Sequence, residues 1–264
     1  MDFKNKNIGF FDSGIGGISV LKNAINLLEN ETFIYFGDSK NTPYGSKTQN
    51  EIIKLCINIC DFLIYENNCK AIVVACNTAS SAAIKVLREK YEPYIPIIAI
   101  EPAIKPAVEY MKSKGLNKKI LLLATPFTIR GDKLRYSLDL YKDIEIKCIG
   151  LKDLAYMIEE DLSKNDIYDY LQRELENFCD EVDCVVLGCT HYYFVKDILK
   201  DILGENVKTF DGLHGTSKEL KRRLEIIGLE NTERIDKRKK VYIYNSLNQS
   251  KVLRCYDLLG GGLR

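Results

Sequence analysis

The sequence predicts an α/β protein made of two pseudo-symmetric, doubly wound domains with mainly parallel sheets. Three observations carry that prediction. Apolar runs rich in β-branched residues alternate with helix-patterned segments almost throughout the 264 residues. Nine such runs are many for one sheet in a chain of this length, and two sheets divide them more comfortably. Finally, one local pattern occurs in both halves. Ala71-Ile72-Val73-Val74-Ala75 leads into Cys76-Asn77-Thr78, and Val182-Asp183-Cys184-Val185-Val186-Leu187-Gly188 leads into Cys189-Thr190-His191. Each reads as a buried parallel strand running into a helix.

In chain order the strand candidates are Asn7–Phe11, Thr32–Phe36, Ala71–Ala75, Ile97–Ile100, Lys119–Ala124, Ile144–Ile149, Cys184–Gly188, Val207–Phe210 and Val241–Tyr244. After Cys76, the positions Ala79, Ala82, Ala83, Val86 and Leu87 follow the stripe of a helix resting on a sheet. After Cys189, Val195, Ile198, Leu199, Ile202 and Leu203 repeat it. Thr78 and Thr190 precede these stripes and are read as N-caps. Pro96 and Pro102 bracket the fourth run and mark a crossing between domains, with a second crossing near Asp211-Gly212. The expected division is 1–100 with 212–264 for a first domain carrying Asp12 and Cys76, and 101–211 for a second carrying Cys189 and His191. The charged stretch from Glu233 to Lys240 reads as a solvated loop or strand lead-in.

With 38 basic against 37 acidic side chains, the chain has no electrostatic bias toward nucleic acid or an anionic membrane. No apolar stretch approaches the ~20 residues that cross a bilayer, and no charged and apolar leader opens the chain, so a cytoplasmic protein is expected. Nine cysteines, an odd number, fit reduced thiols in that compartment. Cys56, Cys60, Cys69, Cys148, Cys184 and Cys255 fall on or beside apolar stretches, where a thiol behaves as a small hydrophobe. There is no Cys-x-x-Cys pair, and His191 and His214 are the only histidines, so no metal site is expected.

The polar clusters at strand ends carry the chemistry, because ligands of open α/β sheets bind outside the carboxyl ends of the strands. The first run ends in Phe11-Asp12-Ser13-Gly14-Ile15-Gly16-Gly17, a carboxylate and a hydroxyl followed by a glycine turn. A dinucleotide fingerprint has a similar outline, and Asp38 follows the second strand where a ribose-binding acid would stand. Ser19 replaces its third glycine, however, and Asp12 would repel a pyrophosphate. Asp12 reads equally as a helix cap or as a catalytic auxiliary. Asn41-Thr42-Pro43-Tyr44-Gly45-Ser46 reads as a turn, and such a turn could also place Tyr44 and backbone amides over a bound carboxylate.

Cys76 and Cys189 then stand at ligand ends of strands, one in each half. A free cysteine is only a few per cent thiolate at neutral pH. A helix N-terminus contributes ~0.3–1 kcal/mol, less than a full pKa unit, so dipoles alone cannot activate it. Each thiol needs a proton-accepting neighbour, and Asp12 and His191 are the candidates. The residues leave three readings open: proton transfer by paired thiols, nucleophilic catalysis by one cysteine with His191, and non-catalytic binding of an amino acid.

Taken together, Phe11-Asp12-Ser13-Gly14-Ile15-Gly16-Gly17, Tyr35-Phe36-Gly37-Asp38, Pro43-Tyr44-Gly45, Ala75-Cys76-Asn77-Thr78-Ala79-Ser80 and Leu187-Gly188-Cys189-Thr190-His191-Tyr192 resemble the glutamate racemases of the cofactor-independent aspartate/glutamate racemase family. The resemblance implies two α/β domains with the active site in the cleft between them. It implies an isomerase that interconverts L-glutamate and D-glutamate with no cofactor and supplies D-glutamate for peptidoglycan, and it implies a homodimer. On this model Cys76 exchanges the Cα proton with the D enantiomer and Cys189 with the L enantiomer, Asp12 assisting the first and His191 the second. Inversion at carbon does require an acid and a base on opposite faces, which two similar halves can supply. By the same resemblance Asp12, Ser13, Tyr44, Gly45, Asn77, Thr78, Thr128, Thr190 and His191 hold the substrate.

The chain departs from the family pattern at several points. Tyr193 replaces the proline usual after Cys-Thr-His-Tyr, Leu134 falls where a tyrosine is common, and Asp211-Gly212-Leu213-His214-Gly215 differs from an Asp-Ser-Gly ending. Glu159 is the candidate for a family glutamate of the second domain, with the spacing from Cys148 unsettled. His191 stands where aspartate racemases typically have glutamate, which favours glutamate as substrate.

Overall fold

Short β-branched runs bury both faces only inside a sheet covered by helices on two sides. A computed structural model describes residues 3–116, 119–179, 181–233 and 240–260 of the chain. Its strands are β1 (Asn7–Asp12), β2 (Phe33–Gly37), β3 (Cys69–Val74), β4 (Ile97–Ala99), β5 (Lys119–Ala124), β6 (Ile146–Gly150), β7 (Val182–Gly188), β8 (Lys208–Asp211) and β9 (Val241–Asn245). All strand pairs among the described residues are parallel. Each of the nine expected runs forms a strand, with ends displaced by no more than two residues. The chain divides into two compact units, Met1–Ile100 with Leu213–Arg264, and Glu101–Gly212.

The sheet of the first unit has the order β4-β3-β1-β2-β9, and that of the second β6-β5-β7-β8. Taken from its other edge the second is β8-β7-β5-β6. The first four strands of each unit therefore follow one order, fourth, third, first, second, with β9 added to the first sheet. The likeness reaches local detail: β1 against β3 and β5 against β7 each slip register at the start, at Asn7/Ile8 and Lys119/Ile120. In both sheets the chain turns one way after the first strand and the other way after the third. The carboxyl ends of those two neighbouring strands form the switch point at which such sheets bind ligands.

Burial holds these central strands in place. Ile72, Val73 and Val74 of β3 and Leu121, Leu122 and Leu123 of β5 are all at 0% exposure. Each such aliphatic side chain contributes ~1.5–3 kcal/mol by leaving water. The helix Asn77–Tyr91 buries Ala79, Ala82, Ala83 and Leu87 as its stripe predicts, and the helix Lys196–Leu203 buries Leu199, Ile202 and Leu203. The cysteines expected in apolar surroundings are buried, apart from half-buried Cys148.

One buried charge pair lies at the opposite end of β3 from Cys76. Lys70 Nζ is 2.7 Å from Glu31 Oε2, with the two side chains 0% and 1% exposed. The ammonium also donates to the Leu229 carbonyl at 2.8 Å and to that of Lys4. Glu31 Oε1 accepts from the Asn231 amide at 2.9 Å. This network ties the returning C-terminal segment to β3. Of the charged stretch Glu233 to Lys240, residues 234–239 lie outside the described residues, and Lys240 is the buried lead-in to β9, its Nζ donating to the Ile25 carbonyl at 3.2 Å.

Candidate functional site

In the first unit the register Phe11↔Val74 brings the ends of β1 and β3 level, and the Ala75 amide donates to the Phe11 carbonyl at 2.8 Å. Asp12 and Ser13 therefore emerge beside Cys76. Asp12 is fully buried and its Oδ1 accepts the Gly14 amide at 2.8 Å. The Gly14 amide, which a phosphate would need, thus already has a carboxylate on it. Ser13 Oγ lies 3.5 Å from Asp12 Oδ1, and the Cys76 thiol donates to Ser13 Oγ at 3.6 Å. A hydroxyl thus stands between carboxylate and thiol. Gly17 closes the cluster, because a Cβ there would come 2.7 Å from Asp12 Cβ and 2.9 Å from Ala75 Cβ.

The structure corrects the capping assignment. Thr78 lies inside the helix Asn77–Tyr91, whose N-cap is Cys76: its backbone is extended (φ −113°, ψ 123°) and its Sγ accepts from the Ala79 amide at 3.4 Å. The helix begins two residues earlier than a threonine cap requires, so the thiol itself meets the unpaired amides of the first turn. Likewise Thr190 opens the 3-10 turn Thr190–Val195, Cys189 precedes that turn as its cap residue, and the helix proper begins at Lys196.

Two further residues shape the first cluster. Asn77 is buried, and neither Oδ1 nor Nδ2 of its amide has a partner among the described residues. An unpaired buried polar group costs ~1–3 kcal/mol, which a ligand at the helix start would offset. Tyr44 is also buried, and its hydroxyl donates to Asp38 Oδ2 at 2.7 Å, while Asn41 Nδ2 donates to both Asp38 oxygens at 3.0 and 3.1 Å. Burial, and then the charges of Cys56 and Asp38, hold the Tyr44 phenol far above its ordinary pKa. Its hydroxyl is already engaged, so the turn carrying Tyr44 and Gly45 can meet a ligand through its backbone. Asp38 stands at the end of β2 where a ribose acid was considered, and it anchors this turn instead.

In the second unit the register Ala124↔Gly188 sets Thr125 beside Cys189, the counterpart of Asp12 and Ser13 beside Cys76. Thr125 caps the short helix Pro126–Arg130 by accepting from the Thr128 amide at 3.2 Å, and the two threonine hydroxyls lie 3.1 Å apart. Cys189 Sγ is 3.9 Å from His191 Nδ1, and His191 Nε2 is 2.9 Å from Glu159 Oε2. Histidine and glutamate are both buried. With Glu159 ionised, Nε2 carries the proton and Nδ1 turns its lone pair toward the thiol. Tyr192, fully buried, donates its hydroxyl to the Leu151 carbonyl at 2.9 Å and holds the turn from below.

The structure thus groups Asp12, Ser13, Cys76 and Asn77 in one unit and Cys189, His191 and Glu159 in the other. Glu159, left open by spacing, closes the helix Leu154–Glu159 and lies on His191. Leu134 is a core residue of the second unit, packed with Ile120, Leu122 and Val186. Sequence reasoning missed the Asp38–Tyr44 contact, although both residues stood in quoted motifs. Among the described residues, no group of three or more His, Cys, Asp or Glu is placed to hold a metal ion, and no helix is long and apolar enough to cross a membrane.

Two repeated α/β units, each with a thiol just beyond its third strand and a polar group beside that thiol, define the class of the fold and site. The Asp/Glu/Hydantoin racemase family model matches residues 17–216, and the chain belongs to that family. Within it the chain is similar to proteins named glutamate racemase. That of Clostridium perfringens is 45% identical over 257 residues, covering 96% of this chain and 95% of the relative. That of Clostridium novyi is 48% identical over 256 residues, covering 95% of each. Among solved structures, a glutamate racemase isoform from Bacillus anthracis matches with a TM-score of 0.83 at 27% identity, covering 98% of this chain and 95% of that one. The Francisella tularensis glutamate racemase in complex with D-glutamate matches with a TM-score of 0.77 at 33% identity, covering 97% and 94%.

Proposed function

We propose that the protein racemises glutamate without a cofactor, by proton transfer between Cys76, the Cα of the substrate and Cys189. The observation that carries this reading is the repeated switch point. Each unit presents one thiol at the carboxyl end of its third strand, and each thiol has its own route for a proton: Cys76 toward Ser13 and Asp12, Cys189 toward His191 and Glu159. A nucleophilic hydrolase needs only one such arrangement. The glutamate racemase relatives supply the substrate, and the D-glutamate bound to the Francisella tularensis protein is one of the two enantiomers.

In the D-to-L direction, Cys76 thiolate removes the Cα proton and becomes a thiol. The electron pair delocalises into the α-carboxylate, and the Cys189 thiol delivers its proton to the opposite face, leaving a thiolate. The reverse reaction exchanges the roles. Asp12 assists Cys76 and His191 assists Cys189. The Asn77 amide, with Ser13, Thr78, Thr128, Thr190 and the turn at Tyr44 and Gly45, holds the carboxylates and ammonium, and exclusion of water around the site strengthens those contacts. The product D-glutamate serves peptidoglycan synthesis in the cytoplasm, and the enzyme acts as a homodimer.

The test is incubation of L-glutamate in deuterated water with no added cofactor. The expected result is deuterium at Cα of both enantiomers for the native protein, and loss of net racemisation in both Cys76→Ala and Cys189→Ala. Normal turnover by either variant would end the two-thiol reading, and an active protein that interconverts aspartate but not glutamate would end the substrate assignment.

A further inference from the structure

One departure of this chain from the family pattern, Tyr193 in place of proline, is joined by one lysine to Asp211, the acid at the end of β8. Lys196, the first residue of its helix, places Nζ 4.0 Å from the centroid of the Tyr193 ring and 2.5 Å from Asp211 Oδ2. Asp211 ends β8, and its register partner is Leu187 of β7, two residues before Cys189. Tyr193 lies in the 3-10 turn Thr190–Val195 that carries His191. The three residues thus link the far half of that turn to the strand end beside the thiol.

A six-residue 3-10 turn needs outside support. Its hydrogen bonds are poorly aligned, and runs beyond 3–4 residues are uncommon. The near half is held by His191 on Glu159 and by Tyr192 on Leu151. The far half is held by the ammonium of Lys196, stacked on Tyr193 and paired with Asp211. Both members of the pair are mostly withdrawn from water, with side-chain exposures of 25% and 17%. Tyr193 is 37% exposed, so the stack on its ring is partly solvated and the ion pair is the drier half of the clamp. A proline at 193 would restrain the turn from within by fixing φ. Here the restraint is applied from outside.

We infer that Lys196, clamped between Tyr193 and Asp211, is a positioning residue for His191. The inference rests on the proposed role of His191 at Cys189. A histidine whose Nδ1 is already 3.9 Å from the thiol has little slack, and a misplacement of about 1 Å can cost roughly 100-fold in rate.

The variants that test this are Lys196→Met and Tyr193→Ala, which break the clamp, and Lys196→Arg and Tyr193→Phe, which keep a cation and a ring face. Arginine both pairs with carboxylates and stacks on aromatics. Two readouts are taken: steady-state kcat and KM, and the rate of iodoacetamide alkylation at each thiol, followed by peptide mapping. Cys189 is followed in a Cys76→Ala background and Cys76 in a Cys189→Ala background. The expected result is a fall in kcat of about tenfold with KM within about twofold for the first two variants. Cys189 alkylation should slow in parallel, Cys76 alkylation should be unchanged, and Lys196→Arg and Tyr193→Phe should stay close to the parent. The clamp is overturned by a Lys196→Met protein with native kcat and native Cys189 alkylation, by equal slowing at both thiols, or by conservative variants as impaired as the others. If Cys189→Ala alone racemised normally, the two-thiol reading would fall, and the contrast between the two alkylation rates would still decide whether the clamp positions the Cys189 environment.

Discussion

Glu159 and His191 form a buried pair in which a carboxylate oxygen lies 2.9 Å from Nε2, on the far side of the imidazole from Cys189. The contact orients the ring, and in the proposed mechanism it would stabilise an imidazolium formed when His191 takes the thiol proton to make the Cys189 thiolate. Glu159→Gln keeps the shape and removes the charge. Hydrogen bonds to charged groups are worth about 1.5–3 kcal/mol. The variant should therefore lose about 10- to 100-fold in kcat with a smaller change in KM. Steady-state kinetics in both directions check this, and a native kcat would remove Glu159 from the proton route.

Gly17 tests how tightly the Asp12 cluster is packed. An added Cβ meets Asp12 Cβ at 2.7 Å and Ala75 Cβ at 2.9 Å, both on atoms fixed by the strand ends. No flexible side-chain tip is available to move aside. Gly17→Ala should destabilise the protein by about 1–3 kcal/mol, as overpacking does. It should also lower activity by displacing Asp12 from Cys76. Urea unfolding with parallel kinetics is the measurement, and a variant of native stability and activity would show that the cluster tolerates the shift.

Much of the fold was legible because burial on both faces leaves an unmistakable mark. Ile72-Val73-Val74 and Leu121-Leu122-Leu123 can hardly be anything but central strands. Both thiols were legible because each directly follows such a strand. The caps were misread, since threonine is the better cap by side-chain chemistry while the strand's extended backbone selects Cys76 and Cys189. Other features depend on long-range geometry that local patterns cannot encode. Glu159 meets His191 across 32 positions, and Lys70 meets Leu229 across 159. Lys70 in particular follows Cys69 at the start of an apolar run, where a lysine ordinarily marks the solvent edge of a strand.

The Lys70–Glu31 pair gives a stability prediction separate from catalysis. Removing one partner of a buried ion pair leaves an uncompensated charge and costs about 3–5 kcal/mol, whereas an apolar replacement of both is often neutral. Burial already raises the Glu31 carboxyl above its usual pKa, even with Lys70 beside it. Lys70→Met should therefore destabilise strongly, and adding Glu31→Leu should recover much of the loss. Denaturant midpoints of the two single variants and the double variant form the cycle. Additive losses in the double variant would show that the pair is not coupled.

Stability should fall on the alkaline side, because buried thiols hold their protons more tightly in the folded chain than in the unfolded one. Burial pushes Cys69 up to about 12 and Cys184 up to about 11 from an ordinary 9.0, and it raises Cys56 and Cys60 as well. Below the unfolded value both states are protonated and nothing is lost. Above it the unfolded chain has released protons that the folded chain retains, so the unfolded state binds fewer and stability declines as pH rises. The stabilisation is lost progressively until the folded pKa is passed. A single such group gives a slope of about 1.4 kcal/mol per pH unit within its window. Urea midpoints measured from about pH 8 to about pH 11 should therefore be flat at first and then drop steadily from about pH 9. Cys69→Ala, after its own cavity cost is subtracted at neutral pH, should show a shallower decline. A midpoint that holds level or rises across that range would show that these thiols do not keep their protons in the folded protein.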